Sequence, residues 1–250
     1  MKSCPTNKLV LTDKEYLRGR SFILGADEAG RGAVAGPVAA GAVLICDKFY
    51  ASEENIESLA KLNDSKMLSD ETRKELFNVL VSFKEKNLLD FECAFASEGE
   101  VESLNILGAT KLAFKRSIDI LNERNNLNLR NTFANPLFEK STIDSSLSEV
   151  LIDGKPLKNF YYRHHAIIKG DSNSFAIAAA SIIAKVSRDN FMDELAKQYP
   201  HYAFEQHKGY GTQLHVQRLK ILGMCKIHRK SFVDSLLENE KPNAQQDFLF

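Results

Sequence analysis

Four carboxylates stand apart in this 250-residue chain by where they fall: Asp27, Glu28, Asp153 and Asp171. Asp27, Asp153 and Asp171 each follow an apolar, strand-like run: Ser21–Ala26, Glu149–Ile152 and Ala166–Ile168. In an α/β sheet, ligands gather beyond strand ends. Taken singly, an acid beside a glycine or a turn is an ordinary loop residue, and Asp171 is well placed to cap a following helix. Taken together, four acids in a partly dry pocket repel one another unless a cation neutralises them. Hard oxygen ligands select Mg²⁺ or Mn²⁺ over Zn²⁺.

A glycine-rich stretch, Ala29 to Pro37, follows the first acid pair. It lacks the GxGxxG spacing of a dinucleotide site, and no Gly-Lys-Ser/Thr ends it as in a phosphate-binding P-loop. Gly30-Arg31-Gly32 offers two conformationally free positions with a guanidinium between them, and an arginine there can meet a phosphate. By itself the stretch reads as a tight turn with a solvated arginine. Lys66 follows the turn-like Asp64-Ser65 and is a second phosphate candidate. Ser181, Lys185 and Arg188 fall at i, i+4 and i+7 and share one face of a predicted helix. Alone, that is a solvated stripe. Opposite a carboxylate site, it would grip a nucleic-acid backbone in a salt-dependent way. Lys208, Arg218, Lys220, Lys226, Arg229 and Lys230 make the C-terminal part basic, consistent with a second backbone contact. The six histidines show no metal-ligand spacing and read as structural or surface residues.

The elements that must position these groups follow from pattern. Ser21–Ala26 reads as a strand ending at Asp27, and Val38–Cys46 as a buried strand. A helix starts near Ser69 with Leu76, Leu80 and Phe83 at helical spacing, and Phe91, Cys93 and Phe95 alternate as in a strand. Glu100–Glu123 is a long helix, and 125–148 an inserted surface loop. After the two short strands near 150 and 167, Ser172–Ser174 offer caps for a helix to about Tyr199. Strands alternating with helices predict an α/β fold. The expected organisation is an N-terminal extension (1–20), an α/β domain (21–200) with the 125–148 insertion, a C-terminal helical region (201–237) and a flexible tail (238–250).

Composition excludes several classes. Lys+Arg and Asp+Glu are 33 each, so no strongly basic coat exists, although a local basic patch is compatible with zero net charge. The longest apolar stretch, Ala176–Ala184, falls far short of the ~20 residues of a membrane span. No apolar run precedes Asp13, so no secretory signal is expected. The four cysteines form no CxxC pair, which suits reduced thiols and a cytoplasmic location.

The motifs also form an ordered series. Asp27-Glu28-Ala29-Gly30-Arg31-Gly32 with Gly36-Pro37-Val38 comes first, then Asn63-Asp64-Ser65-Lys66, Ile152-Asp153-Gly154 and Lys169-Gly170-Asp171-Ser172. Ala179–Asp189 and His207-Lys208-Gly209-Tyr210-Gly211-Thr212 complete it. This series resembles the ribonuclease HII family, the type 2 ribonucleases H. The resemblance implies a ribonuclease H-like fold, with a central mixed β-sheet flanked by helices and a small C-terminal helical region. It implies an endonuclease that hydrolyses the RNA strand of RNA–DNA hybrids and cuts 5′ of single ribonucleotides in duplex DNA. The ends left would be 5′-phosphate and 3′-hydroxyl, with roles in ribonucleotide excision repair and primer removal. By match, Asp27, Glu28, Asp153 and Asp171 would bind two Mg²⁺ or Mn²⁺ ions ~4 Å apart, one activating water and one stabilising the leaving 3′ oxygen. Gly30, Arg31, Gly32 and Tyr210 would sense the 2′-hydroxyl, the group that separates RNA from DNA. Lys66, Ser181, Lys185 and Arg188 would contact substrate.

The terminal Gln246-Asp247-Phe248-Leu249-Phe250 resembles the motif by which repair proteins bind the sliding clamp. Gln246, Leu249 and Phe250 would fill its hydrophobic groove. A monomer without membrane contact is the default. A non-catalytic nucleic-acid-binding module is the first rival, and bare carboxylates, which repel phosphate, argue against it. A different enzyme of the same superfamily, such as a type 3 ribonuclease H or a DNA nuclease, is the second, and the Gly30-Arg31-Gly32 spelling and the tyrosine motif favour type 2.

Overall fold

A computed structural model describes residues 8–62, 68–127, 129 and 148–239. Lys66, nearly all of the 125–148 stretch and the Gln246–Phe250 tail lie outside the described residues.

The first helix, α1 (Lys8–Tyr16), leads into β1 (Phe22–Ala29) and β2 (Val38–Cys46). Then come α2 (Glu53–Ser58), α3 (Asp70–Glu85), β3 (Leu89–Ala96) and α4 (Glu98–Asn125). After β4 (Ser148–Asp153) and β5 (His165–Ile167), the chain is helical: α5 (Phe175–Gln198), α6 (Phe204–His207), α7 (Gln213–Leu222) and α8 (Lys230–Asn239). The strands form one mixed sheet in the order β3-β2-β1-β4-β5. β2 runs antiparallel to β1 and β3, whereas β1, β4 and β5 are mutually parallel.

β1 is the central strand, covered on both faces, which explains why its sequence is apolar almost throughout. Ile23 joins the core layer under α5, and Leu24 and Ala26 join the layer under α4. Glycine lets α5 lie very close to the sheet. A Cβ on Gly25 would fall 2.2 Å from the Ala176 carbonyl carbon, and one on Gly41 would fall 2.3 Å from the Ala180 oxygen.

Several boundaries differ from expectation. β1 does not stop at Asp27 but continues to Ala29, because Glu28 and Ala29 still pair with Ala40 and Ala39. Asp171 does not cap α5. Ser174 does so, accepting from the Ile177 amide, while Asp171 sits in a 3-10 turn (Gly170–Ser172). α4 is broken at Asn105 (φ 57°), whose side-chain oxygen restarts the helix by accepting from the amides of Leu107 and Gly108. α1 is tied down. Buried Asp13 accepts hydrogen bonds from the Tyr50 hydroxyl (2.6 Å), the Ser174 hydroxyl (2.6 Å) and the Ala176 amide (2.8 Å), joining α1 to the start of α5.

Candidate active site

The three parallel strands end at one edge of the sheet, and the acids gather there. Asp27 lies near the end of β1, on the same side as Gly25 and therefore beneath α5. It is 4% exposed and accepts from the Glu28 amide at 2.7 Å and from the Ser181 hydroxyl of α5. Ile152 pairs with Ala26, so Asp153, the last residue of β4, stands beside Asp27. An Asp153 carboxylate oxygen accepts from the Gly170 amide at 2.5 Å, which draws the turn carrying buried Asp171 against the end of β4.

The electrostatics are those of a crowded anionic site. Burial pushes the Asp27 carboxyl well above the usual carboxylate range, and the charges of Glu28 and Asp153 push it further. The bonds from Ser181 and the Glu28 amide pull the other way without cancelling the rise. The donors are all carboxylate oxygens, the chemistry that a hard divalent cation neutralises. Among the described residues, no three acidic, histidine or cysteine side chains close into a ready cage in the present rotamers. The Glu28 carboxylate is turned to Arg31 at 2.9 Å, and that of Asp153 to the Gly170 amide.

Gly30 adopts φ +84°, and a Cβ there would fall 1.9 Å from the Arg188 Nε. Gly32 is different, since nothing lies within 4 Å of a Cβ built on it and its surface is open. Arg31 is exposed. Tyr210, far along the chain, is brought to this loop by a bridge to Ala33, with the amides of Val34 and Ala35 bonded to the Gly209 carbonyl at 2.9 and 3.1 Å. Its half-buried ring has the Lys185 ammonium 5.8 Å and the Arg188 guanidinium carbon 5.3 Å from its centre.

The expected Ser181–Lys185–Arg188 stripe needs correction. Ser181 is buried against Asp27, and Lys185 is paired with Asp189 at 2.8 Å. Arg188 is fully buried and unavailable to a nucleic-acid backbone. Its Nε, Nη1 and Nη2 donate to the carbonyls of Pro37 (2.9 Å), Lys208 (2.9 Å) and Ala35 (3.2 Å). Arg229, read as a surface cation, is also buried, donating to the carbonyls of Gly36 (2.8 Å), Ala33 (2.8 Å) and Arg31 (3.2 Å). Lys208 pairs with Asp193.

Sequence reasoning also missed a histidine cluster behind Tyr210. His207 and His215 stack at 4.2 Å, and the Nε2 atoms of His215 and His228 are 3.0 Å apart. Burial pushes His215 down to about 4, so it is neutral near pH 7, and its Nδ1 meets the Tyr210 carbonyl at 2.9 Å. These three are structural supports of the tyrosine turn. No spacing rule announces them, because they come from α6, α7 and the segment before α8.

A mixed sheet flanked by helices, with carboxylates at the shared end of β1, β4 and β5, defines a ribonuclease H-like protein. Comparison with known proteins agrees. The sequence profile described as Ribonuclease HII matches residues 24–235. The ribonuclease HII of Fusobacterium nucleatum is 38% identical over 98% of this chain and 99% of its own. Among solved structures, ribonuclease H2 from Pyrococcus horikoshii superposes with a TM-score of 0.52 at 24% identity, covering 87% of this chain and 98% of that one. The Archaeoglobus fulgidus RNase HII, solved in complex with PCNA, superposes with a TM-score of 0.57 at 19% identity, covering 83% and 93%. These two structural likenesses speak to the fold. The chain belongs to the ribonuclease HII family and is a ribonuclease H enzyme. Among the described residues, no helix is long and apolar enough to cross a membrane.

Proposed function

We propose that this chain cuts the RNA strand of RNA–DNA hybrids and cleaves 5′ of single ribonucleotides in duplex DNA, leaving 5′-phosphate and 3′-hydroxyl ends. The observation that carries this reading is the placement of Asp27 between the charges of Glu28 and Asp153, with Asp171 on the adjoining turn. Asp27, Glu28, Asp153 and Asp171 would hold two Mg²⁺ or Mn²⁺ ions. Bound there, such ions would activate water and stabilise the leaving oxygen.

The chain's own groups do the rest. The Ser181 hydroxyl orients Asp27, and the Gly170 amide orients Asp153. Arg31 is half exposed, and a substrate phosphate competes with Glu28 for its guanidinium. Open Gly32 lets the backbone approach a sugar, and Tyr210 offers a ring against it. Lys185, 5.8 Å from that ring, adds a cation for the strand that lies there. Lys66 is assigned to phosphate contact on its motif alone. Ribonucleotide excision repair and primer removal in a reducing cytoplasm suit this activity, and Cys46, Cys93 and Cys225 are free thiols.

The test uses a duplex with one ribonucleotide, incubated with Mg²⁺ or Mn²⁺, and mapping of the ends. Cutting on the 5′ side of the ribonucleotide is expected. Cutting confined to longer hybrids would overturn the single-ribonucleotide assignment. A sliding-clamp contact through Gln246, Leu249 and Phe250 is the second part of the proposal. It is supported by the tail's motif and by the clamp complex of the Archaeoglobus relative. Deleting residues 246–250 should abolish clamp binding and leave hydrolysis unchanged. Retained binding would refute it.

A further inference from the structure

Two fully buried arginines stand behind the Gly30–Gly32 loop, and among the described residues neither has an ion-pair partner. A buried guanidinium without a carboxylate is costly. Arg229 shows the cost directly, since burial and the neighbouring Arg188 charge push it down to about 9, and its Nη2 has no hydrogen-bond partner.

Their donors converge on one short segment. Arg229 holds the carbonyls of Arg31, Ala33 and Gly36, and Arg188 those of Ala35 and Pro37. Arg188 adds the carbonyl of Lys208, two residues before Tyr210. Five carbonyls between residues 31 and 37 are therefore turned inward.

No peptide bond here is cis, so the C=O and N–H of each unit point in opposite directions. Arg229 draws the Arg31 carbonyl inward, and the Gly32 N–H of the same peptide is aimed outward. That is the position where nothing lies within 4 Å of a built Cβ. Arg188 meanwhile ties the loop to the tyrosine turn and lies 5.3 Å beneath the Tyr210 ring.

We infer that Arg188 and Arg229 act as a paired guanidinium staple that fixes the Gly32 amide relative to the turn carrying Tyr210, and that they are positioning residues for ribonucleotide selection. The inference rests on the proposed reading of Gly32 and Tyr210 as sensors of the 2′-hydroxyl. Neither arginine touches substrate. A lysine keeps the charge at either position but cannot serve three divergent carbonyls with one ammonium.

The experiment is an anisotropy titration in EDTA, where no cleavage occurs, with the full chain. It uses an all-DNA duplex and the same duplex carrying one ribonucleotide. The ratio of the two Kd values is the ribonucleotide preference. Arg188→Lys and Arg229→Lys should each lower that ratio about tenfold, a modest cost for a sub-ångström misplacement, while affinity for all-DNA duplex stays as in the parent. Thermal unfolding establishes which variants are folded. If Arg188→Lys does not fold, Arg229→Lys carries the test, because Arg188 still holds three carbonyls. An unchanged ratio in a folded lysine variant would overturn the inference, as would a loss of both affinities in proportion, the mark of a purely structural role. Tyr210→Ala separates the two levels. If it abolishes the preference while both lysine variants keep it, only the staple falls. If Tyr210→Ala keeps the preference, the sensing assignment falls and the staple with it. Asp13→Asn, a change in a different buried network, should leave the ratio unmoved.

Discussion

Gly41→Ala puts the packing account at risk with one methyl group. Gly41 pairs directly with Asp27 across β1 and β2, beneath α5. The added Cβ would lie 2.3 Å from the Ala180 oxygen and 2.7 Å from the Ala184 nitrogen, where ordinary contact begins at 3.4 Å. Both atoms are helix backbone and cannot rotate away. α5 must retreat by the difference, about 1.1 Å. Overpacking of this kind costs about 1–3 kcal/mol. At roughly 2–4 °C per kcal/mol for a chain of this size, Tm should fall by several degrees. Ser181 follows Ala180 and bonds Asp27, so the retreat also loosens the acid. A misplacement of ~1 Å can cost about 100-fold in rate. Urea unfolding and initial cleavage rates measure both effects. A variant with parental Tm and parental rate would refute the close approach of α5 and the dependence of Asp27 upon it.

Gly32→Ala is the counterpart: with nothing within 4 Å of the new Cβ, stability should stay within about 0.5 kcal/mol while cleavage falls, and undiminished cleavage would remove Gly32 from the substrate surface. Asp27→Asn should abolish cleavage yet raise Tm in metal-free buffer at neutral pH, because it removes a carboxyl whose ionisation burial, Glu28 and Asp153 all oppose; a lower Tm would contradict the crowded-anion account. Asp13, raised to about 6 by burial, binds its proton more tightly in the folded state, so its contribution is full below about pH 4 and is lost as pH rises through about 6. Relative to the parent, Asp13→Asn should therefore gain on the order of 3 kcal/mol between pH 4 and pH 7 in urea titrations, and a difference flat with pH would refute the buried-carboxyl assignment.

Much of the fold was legible because its signals are local. β2 is an unbroken apolar run, Phe91, Cys93 and Phe95 alternate along β3, and Ser174 sits in a cluster of caps. Asp27, Asp153 and Asp171 stood out because each follows an apolar run, and parallel strands bring such ends together. What was not legible depends on tertiary surroundings. Ser181, Lys185 and Arg188 share a face by spacing, but spacing does not say whether water or the β1–β2 loop lies opposite, and for Arg188 it is the loop. Arg229 looked like its basic neighbours, since burial of an arginine leaves no mark in composition. Asp13 lies in a polar segment and reaches a partner 161 residues away. Asn105 breaks α4 without a Gly or Pro to announce it, using its own side chain to restart the helix.

The central claim is that acids distant in sequence make one divalent-cation site. Calorimetric titration of Mn²⁺ into the full chain and into Asp27→Asn and Asp153→Asn tests it most directly. Saturable heat in the parent, lost in both variants, is the predicted result. Equal Mn²⁺ binding by the parent and both variants would contradict it.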